Sequence, residues 1–355
     1  MTFPGPVLAA PMAGGAGTPA LLAACGGGFL AAGYLTPDGL ASRIAETRAG
    51  GTWFGVNLFA PPAVPASRAA LARYLDELRP EFAVYDLTPT LPPADDDDDH
   101  WAAKLDLLLA DPVPAVSFTF GIPAAATVTA LRRVGTLVLQ TVTTPAEALL
   151  AAGAGVDALV VQSSSAGGHS ATLTPARVPS AVPPLSLPEL VAAVRGAVSL
   201  PVVAAGGIAT PADVAAALHA GAAATMAGTA LLRTDEAGTS TPHRTALAAA
   251  SSAAASAPAR SSAVAGGWVP GAGGTVVTRA FTGRPARALR NGFVDRHDAT
   301  APLGYPQVHH LTAPLRKAAA AAGDLDRVHL WAGTGHRHAA TGPAAAVIAA
   351  LTATL

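Results

Sequence analysis

The chain has 355 residues, 51% of them hydrophobic and only 13% charged, and a formal net charge of −1. That balance excludes a disordered chain, and lysines and arginines scattered without a basic block exclude a nucleic-acid binder. No apolar run is long enough to span a bilayer, no basic residue precedes the apolar segment after Met1–Pro6, and the lone Cys25 precludes an internal disulfide, so the expected location is the cytoplasm.

Short apolar runs alternate with helix-compatible stretches from Val7 onward. Strands are expected at Val7–Ala10, Phe29–Ala31, Trp53–Asn57, Ala115–Phe118, Thr136–Gln140, Ala158–Gln162, Val202–Ala205 and Ala224–Ala227. Helices are expected at Thr18–Ala24, Pro37–Arg48, Ala124–Val134, Pro145–Ala152, Leu187–Val198 and Ala212–Ala220. Eight strands alternating with helices point to an α/β fold, a parallel (β/α)8 TIM barrel over residues 1–233. Thr36-Pro37, Thr144-Pro145 and Thr210-Pro211 each place a capping hydroxyl before a proline at the first helical position. Gly26-Gly27-Gly28 spells a dinucleotide fingerprint with Ala31, but it precedes a strand instead of following one, so it reads as the end of the first helix.

A ninth apolar run, Phe82–Asp86, falls in an expected insertion covering about residues 60–112. Within it, Asp95–Asp99 reads as a solvated acidic cap on the helix His100–Ala110, since adjacent side chains diverge too much for a metal site. Residues 234–355 form an expected smaller, mainly helical cap segment that partly returns to the barrel. It holds helices near Pro242–Ala257, Val308–Ala322 and Pro343–Leu355, a strand-like run Thr275–Phe281, and a basic stretch with Arg279, Arg284, Arg287 and Arg290.

Barrel enzymes carry their sites at the C-terminal ends of the strands. There the chain places Gly206-Gly207 and Gly228-Thr229, glycine-bearing turns suited to a phosphate, and the run Leu159–Ser170, in which Gly167, Gly168 and His169 follow Gln162. Glycines admit a flat or anionic ligand against the backbone, and histidine exchanges protons near neutrality. The pairs His309/His310 and His336/His338 lack carboxylate or cysteine neighbours at ligand spacing and read as surface or pocket-lining groups; no metal is expected. Ser163–Ser165 do not make a nucleophile elbow.

Seven ordered segments together resemble the nitronate monooxygenase (2-nitropropane dioxygenase) family, in its bacterial class I branch: Ala10–Gly15, Phe29–Tyr34, Phe54–Phe59, Val116–Gly121, Ala166–His169, Ala204–Ile208 and His309–Arg316, with a matching cap segment Val277–Arg287. The resemblance implies an FMN cofactor. Its phosphate would lie on Gly206, Gly207, Gly228 and Thr229, after Met226 and Ala227, and its ring would meet Pro11, Met12, Ala13, Asn57, Gln162, Gly167 and Gly168. His169 aligns with the family's active-site histidine, as a base toward a neutral nitroalkane or a cationic or hydrogen-bonding group toward a nitronate; Tyr305 is a second candidate from the cap. The implied reaction oxidises an alkyl nitronate, such as propionate 3-nitronate, with O2 to a carbonyl compound and nitrite; a homodimer is an open expectation. Ser163, Ser165 and Met226 stand where relatives usually carry glycine, glutamate and glutamine. Alternatives are a reductase of the same superfamily using NAD(P)H and an accessory flavin binder without activity.

Overall fold

The structure is a computed structural model and describes residues 3–61, 67–93, 97–176, 184–256 and 274–355. In chain order its elements are β1 (Val7–Ala9), α1 (Pro19–Ala24), β2 (Gly28–Ala31), α2 (Pro37–Ala49), β3 (Phe54–Phe59), α3 (Arg68–Ala83), α4 (Trp101–Ala110), β4 (Ala115–Thr119), α5 (Ala125–Arg133), β5 (Leu137–Val142), α6 (Pro145–Gly153) and β6 (Ala158–Gln162). There follow β7 (Gly168–His169), α7 (Leu187–Ala197), β8 (Val202–Ala205), α8 (Pro211–His219), β9 (Ala224–Ala227), α9 (Thr241–Ser256), β10 (Thr275–Thr278), β11 (Ala286–Leu289), α10 (Gly292–His297), α11 (Gln307–Ala321) and α12 (Ala344–Thr352). The last residue of the expected helix Pro242–Ala257 lies outside the described residues.

Eight of the strands, β1 to β6 with β8 and β9, close into a barrel whose neighbours are all parallel. Each lies within two residues of its expected bounds. Side chains alternate across a strand, and the alternation sorts them cleanly here. Leu8, Phe29, Leu139, Val160, Val203 and Met226 fill the barrel interior, while Val7, Leu30, Val56, Val138, Leu159 and Val202 pack outward under the helices. Two glycines make room in this arrangement. A Cβ at Gly28 would lie 2.6 Å from that of Ala9 where β1 and β2 meet, and one at Gly55 would overlap the ring of Phe29. The three Thr-Pro starts behave as capped helix N-termini: Thr36, Thr144 and Thr210 accept from the amides of Gly39, Glu147 and Asp213, each such cap contributing about 1 kcal/mol.

The segment after β9 returns to the barrel through α12, whose Val347 and Leu351 join the outer barrel cluster. The insertion divides differently from its expected limits. Its second helix, α4, belongs to the barrel, with Leu108 in the outer cluster. Its first, α3, packs Leu71, Tyr74, Leu78 and Phe82 against Phe281, Phe293, Val308, Leu311 and Leu315 of the C-terminal segment. The ninth apolar run is thus the end of α3 and the turn after it. Glu81 of α3 fixes this contact by receiving Arg296, His297 and Arg327 at 2.6, 2.8 and 2.6 Å. Burial opposes ionisation of Glu81, but those partners outweigh it and hold its carboxyl down at about 2.

The C-terminal segment also holds a strand that its sequence did not announce. β11 runs through the basic stretch and pairs antiparallel with both β10 and β7, so the loop that follows β6 becomes the edge strand of a small second sheet. No helix among the described residues is long and apolar enough to cross a membrane.

The acidic run is not simply a solvated cap. Asp95 and Asp96 lie outside the described residues. Asp98 does accept from the amide of Trp101 at the start of α4. Asp97, however, meets His310 of α11 at 2.6 Å, and Asp99 meets Lys104 at 2.8 Å and the amide of Tyr34 at 2.9 Å. Lys104 is 1% exposed and also donates to the carbonyl of Ala32. A Lys104→Met protein is expected to lose about 3 kcal/mol, the cost of leaving a mostly buried carboxylate without its partner, visible as a lowered urea midpoint. An unchanged midpoint would show that Asp99 finds solvent.

Candidate active site

At the C-terminal ends of the barrel strands lies a cavity of about 480 Å³. Pro11, Met12, Ala13, Asn57, Gln162, Gly167, Gly168, His169, Gly206, Gly207, Met226, Gly228 and Thr229 all line it. Two expected site residues do not. Ala227 follows the inward Met226, so its side chain points outward and is packed in the outer cluster. Tyr305 stands behind the wall, its ring 5.4 Å from that of His169 and 5.3 Å from that of Phe120, with its hydroxyl 3.4 Å from that of Tyr34.

Three clamps hold the loop that carries His169. Gln162 donates from Nε2 to the carbonyl of His169 at 3.1 Å and accepts at Oε1 from the amide of Ala171 at 2.8 Å. Its amide therefore serves the loop. Glu147, buried, receives Thr143 through its Oε2, and through its Oε1 the hydroxyl of Thr172 and the amide of Leu173. Arg284 donates to the carbonyls of Ser170 and Thr172. A loop fixed at so many backbone points presents its imidazole without further ordering, which is what a reacting group needs. His169 in turn packs against Phe120, Tyr305 and Trp331, with Nε2 2.9 Å from the hydroxyl of Thr282. Phe120 adopts a φ of +80°, a left-handed conformation that is costly for an aromatic residue. Its ring meets both His169, edge to face at 5.7 Å between centroids, and the guanidinium of Arg284, which lies 3.9 Å from the ring centroid.

The glycine turns after β8 and β9 meet a part of the chain that the sequence analysis missed. Residues 331–335, Trp-Ala-Gly-Thr-Gly, run across them as a strap. The amide of Gly333 donates to the Thr229 hydroxyl at 3.0 Å, and the amide of Thr334 donates to the carbonyl of Ser165 at 3.0 Å. Gly206 and Gly207 have φ of +99° and +83°, which explains glycine at both positions. Ser163 donates to the carbonyl of Gly206 at 3.2 Å, and a Cβ at Gly207 would lie 3.1 Å from that of Ser165. Two of the three departures from the family pattern, Ser163 and Ser165, therefore stand at the glycine turn. The Gly-Thr-Gly spelling of the strap at 333–335 was the available signal.

Among its lining residues the cavity has no carboxylate. Arg316 of α11 lines it, 6% exposed, donating to the hydroxyl of Thr312, to the carbonyl of His309 and to His329. Burial pushes the guanidinium of Arg316, and that of Arg284, down to about 10. Neither forms a salt bridge among the described residues. Burial, reinforced by both cations, lowers His169 to about 3; burial reinforced by Arg316 lowers His309 to about 2 and His329 well below its usual value; His243, also lining, is lowered to about 4 by burial. These imidazoles are neutral at physiological pH, so His169 does not act as a resident cation. His309 stacks on Tyr34 with ring centroids 4.4 Å apart, and His336 is buried while His338 is exposed.

This arrangement has relatives. The family model for nitronate monooxygenase matches residues 2–266 and 245–354. The chain belongs to the nitronate monooxygenase family. A nitronate monooxygenase of Pseudomonas aeruginosa is 36% identical across 98% of this chain and 95% of its own length. A probable nitronate monooxygenase of Bacillus subtilis is 32% identical across 94% and 90%. Among solved structures, a nitroalkane oxidase from Streptomyces ansochromogenes superposes with a TM-score of 0.86 at 45% identity, covering 99% of this chain and 95% of that one. FabK from Thermotoga maritima, at 24% identity and a TM-score of 0.68, shares the fold.

Proposed function

We propose that this member of the family is an FMN-dependent nitronate monooxygenase that takes a nitronate anion and O2 to a carbonyl compound and nitrite. The observation that carries the reading is electrostatic: a cavity with no carboxylate on its wall, buried Arg316 facing it and Arg284 stacked on the Phe120 wall. Buried guanidinium groups without carboxylate partners favour anionic occupants strongly. A nitronate and a phosphate are both of that kind.

The cavity suits FMN in its parts. The glycine turns at Gly206-Gly207 and Gly228-Thr229 offer backbone amides to a phosphate, where barrels of this class commonly hold one. Asn57, Gln162, Gly167 and the Pro11–Ala13 backbone would lie along the ring, and Met226, 3% exposed, forms part of the floor. A bound flavin would supply the electron acceptor that oxidation of a nitronate by O2 requires. The chain's own groups then have three tasks. Arg316 stabilises the anion electrostatically, the aromatic wall of Phe120 and Trp331, backed by Tyr305, excludes water, and neutral His169 holds a lone pair toward a substrate that still carries its α proton.

The test is a visible spectrum of the purified protein followed by nitrite release from propionate 3-nitronate and alkyl nitronates. A yellow protein releasing nitrite is expected, with His169→Asn at least about a hundredfold slower on nitroalkanes. A colourless protein that takes up no FMN, or prompt anaerobic bleaching of the flavin by NADH, would count against the oxygenase.

A further inference from the structure

Thr282 sits in the turn between β10 and β11, 1% exposed, where the cap segment meets the His169 loop. Its hydroxyl oxygen is 2.9 Å from Nε2 of His169 and 3.3 Å from the carbonyl oxygen of Arg284. A hydroxyl has one proton to give and lone pairs to receive, a carbonyl can only receive, and a neutral imidazole has one nitrogen of each kind. One assignment satisfies all three groups. The hydroxyl donates to the carbonyl of Arg284, and Nε2–H of His169 donates to the hydroxyl. The opposite assignment spends the only hydroxyl proton on the imidazole and withdraws it from the carbonyl of a residue that is 4% exposed.

We propose that Thr282 is a positioning residue that fixes His169 as the Nε2–H tautomer, leaving Nδ1 as the imidazole's proton acceptor. This rests on the reading of His169 as the group that meets substrate. The consequence is confined to one substrate form. A neutral nitroalkane gives its α proton to Nδ1 while the electron pair of the broken C–H bond stays on the substrate as the nitronate, so this step needs no oxidant. A nitronate that arrives already ionised bypasses it. The backbone of the loop is held independently, by the pairing of β7 with β11 and by Gln162, Glu147 and Arg284, so removing the hydroxyl alters the proton's position more than the loop's.

The experiment is 15N-histidine NMR of the purified protein, with His169 assigned by its absence in His169→Asn, on wild type, Thr282→Ser and Thr282→Val. Wild type and the serine protein are expected to show Nε2 protonated and Nδ1 bare; the valine protein should shift toward Nδ1–H. In parallel, the ratio of kcat/KM on a nitroalkane to that on its nitronate should fall at least about tenfold in Thr282→Val and recover in Thr282→Ser. An Nδ1–H tautomer in wild type overturns the proposal outright, even if the valine protein fails to fold. An unchanged tautomer in a folded valine protein overturns it too. Absence of nitrite from either substrate in wild type would instead defeat the functional reading and leave the tautomer result standing.

Discussion

A Gly167→Ala protein is expected to purify with little or no flavin, while Gly153→Ala purifies yellow. Gly167 has no left-handed backbone to forbid alanine, so the effect is one of space alone. A Cβ there would come within 2.6 Å of the Gly333 amide nitrogen, 2.7 Å of the Ala332 carbonyl carbon and 2.9 Å of the Thr229 hydroxyl. Two of these are backbone atoms of the strap, and the third is the hydroxyl to which that strap is bonded. None can swing aside as the tip of a long side chain would. The strap must therefore move off the glycine turns, opening the end of the cavity where a phosphate would be enclosed. Overpacking of this kind typically costs 1–3 kcal/mol, and spent on cofactor binding it corresponds to about tenfold to a hundredfold weaker affinity. A methyl at Gly153, at the end of α6, would have nothing within 4 Å. FMN titration by fluorescence quenching reads the difference, and equal affinity for the two variants would remove the strap from the cofactor site.

The protein is also expected to lose stability on the acid side well before its carboxylates are titrated. His169, His243 and His309 are lowered from 6.5 to about 3, 4 and 2, and His329 lies well below 6.5 as well. With folded values below unfolded ones, the folded chain binds fewer protons than the unfolded chain below pH 6.5. The stability is fully present above that point and is lost as pH falls toward the folded values. Each imidazole contributes a slope of about 1.4 kcal/mol per pH unit. Four together give roughly 5 kcal/mol per unit, a large share of the stability of a typical protein. Glu81, held at about 2 against an ordinary 4.5, acts in the same direction but only below pH 4.5, so the loss between pH 6.5 and pH 4.5 is free of it. Between pH 6 and pH 5 the thermal midpoint should drop by about 10 °C, and His243→Gln should flatten the slope. A midpoint constant from pH 7 to pH 5 would mean that these imidazoles are not buried neutral in solution.

The barrel was readable because each of its strands is short, apolar and followed by a glycine or proline signal, and because the three Thr-Pro starts mark helices with little ambiguity. The glycine turns were readable for the same local reason. What escaped is what depends on partners far away in the chain. Ala286–Leu289 alternates with arginine and has no apolar run, and it is a strand because β10 and the His169 loop supply both of its neighbours. Phe82–Asp86 read as an apolar run of the insertion and not as the end of a helix because α3 continues through Pro80, where an interior proline usually signals a break. Ala227 was placed with the phosphate turn that follows it, while the two-residue alternation of a strand turns its side chain outward. Nothing local shows that Asp97 and Asp99 meet His310 and Lys104, or that Gln162 turns its amide on its own loop.

The second sheet has a consequence for motion. His169 is not carried by the barrel alone; as part of β7 it is hydrogen-bonded into the same sheet as β11 and β10. The small sheet of the C-terminal segment and the residue facing the cavity are thus one mechanical part. Any displacement of β10 and β11 would be transmitted directly to the imidazole, and the Gln162 and Glu147 clamps that tie the same loop to the barrel would oppose it.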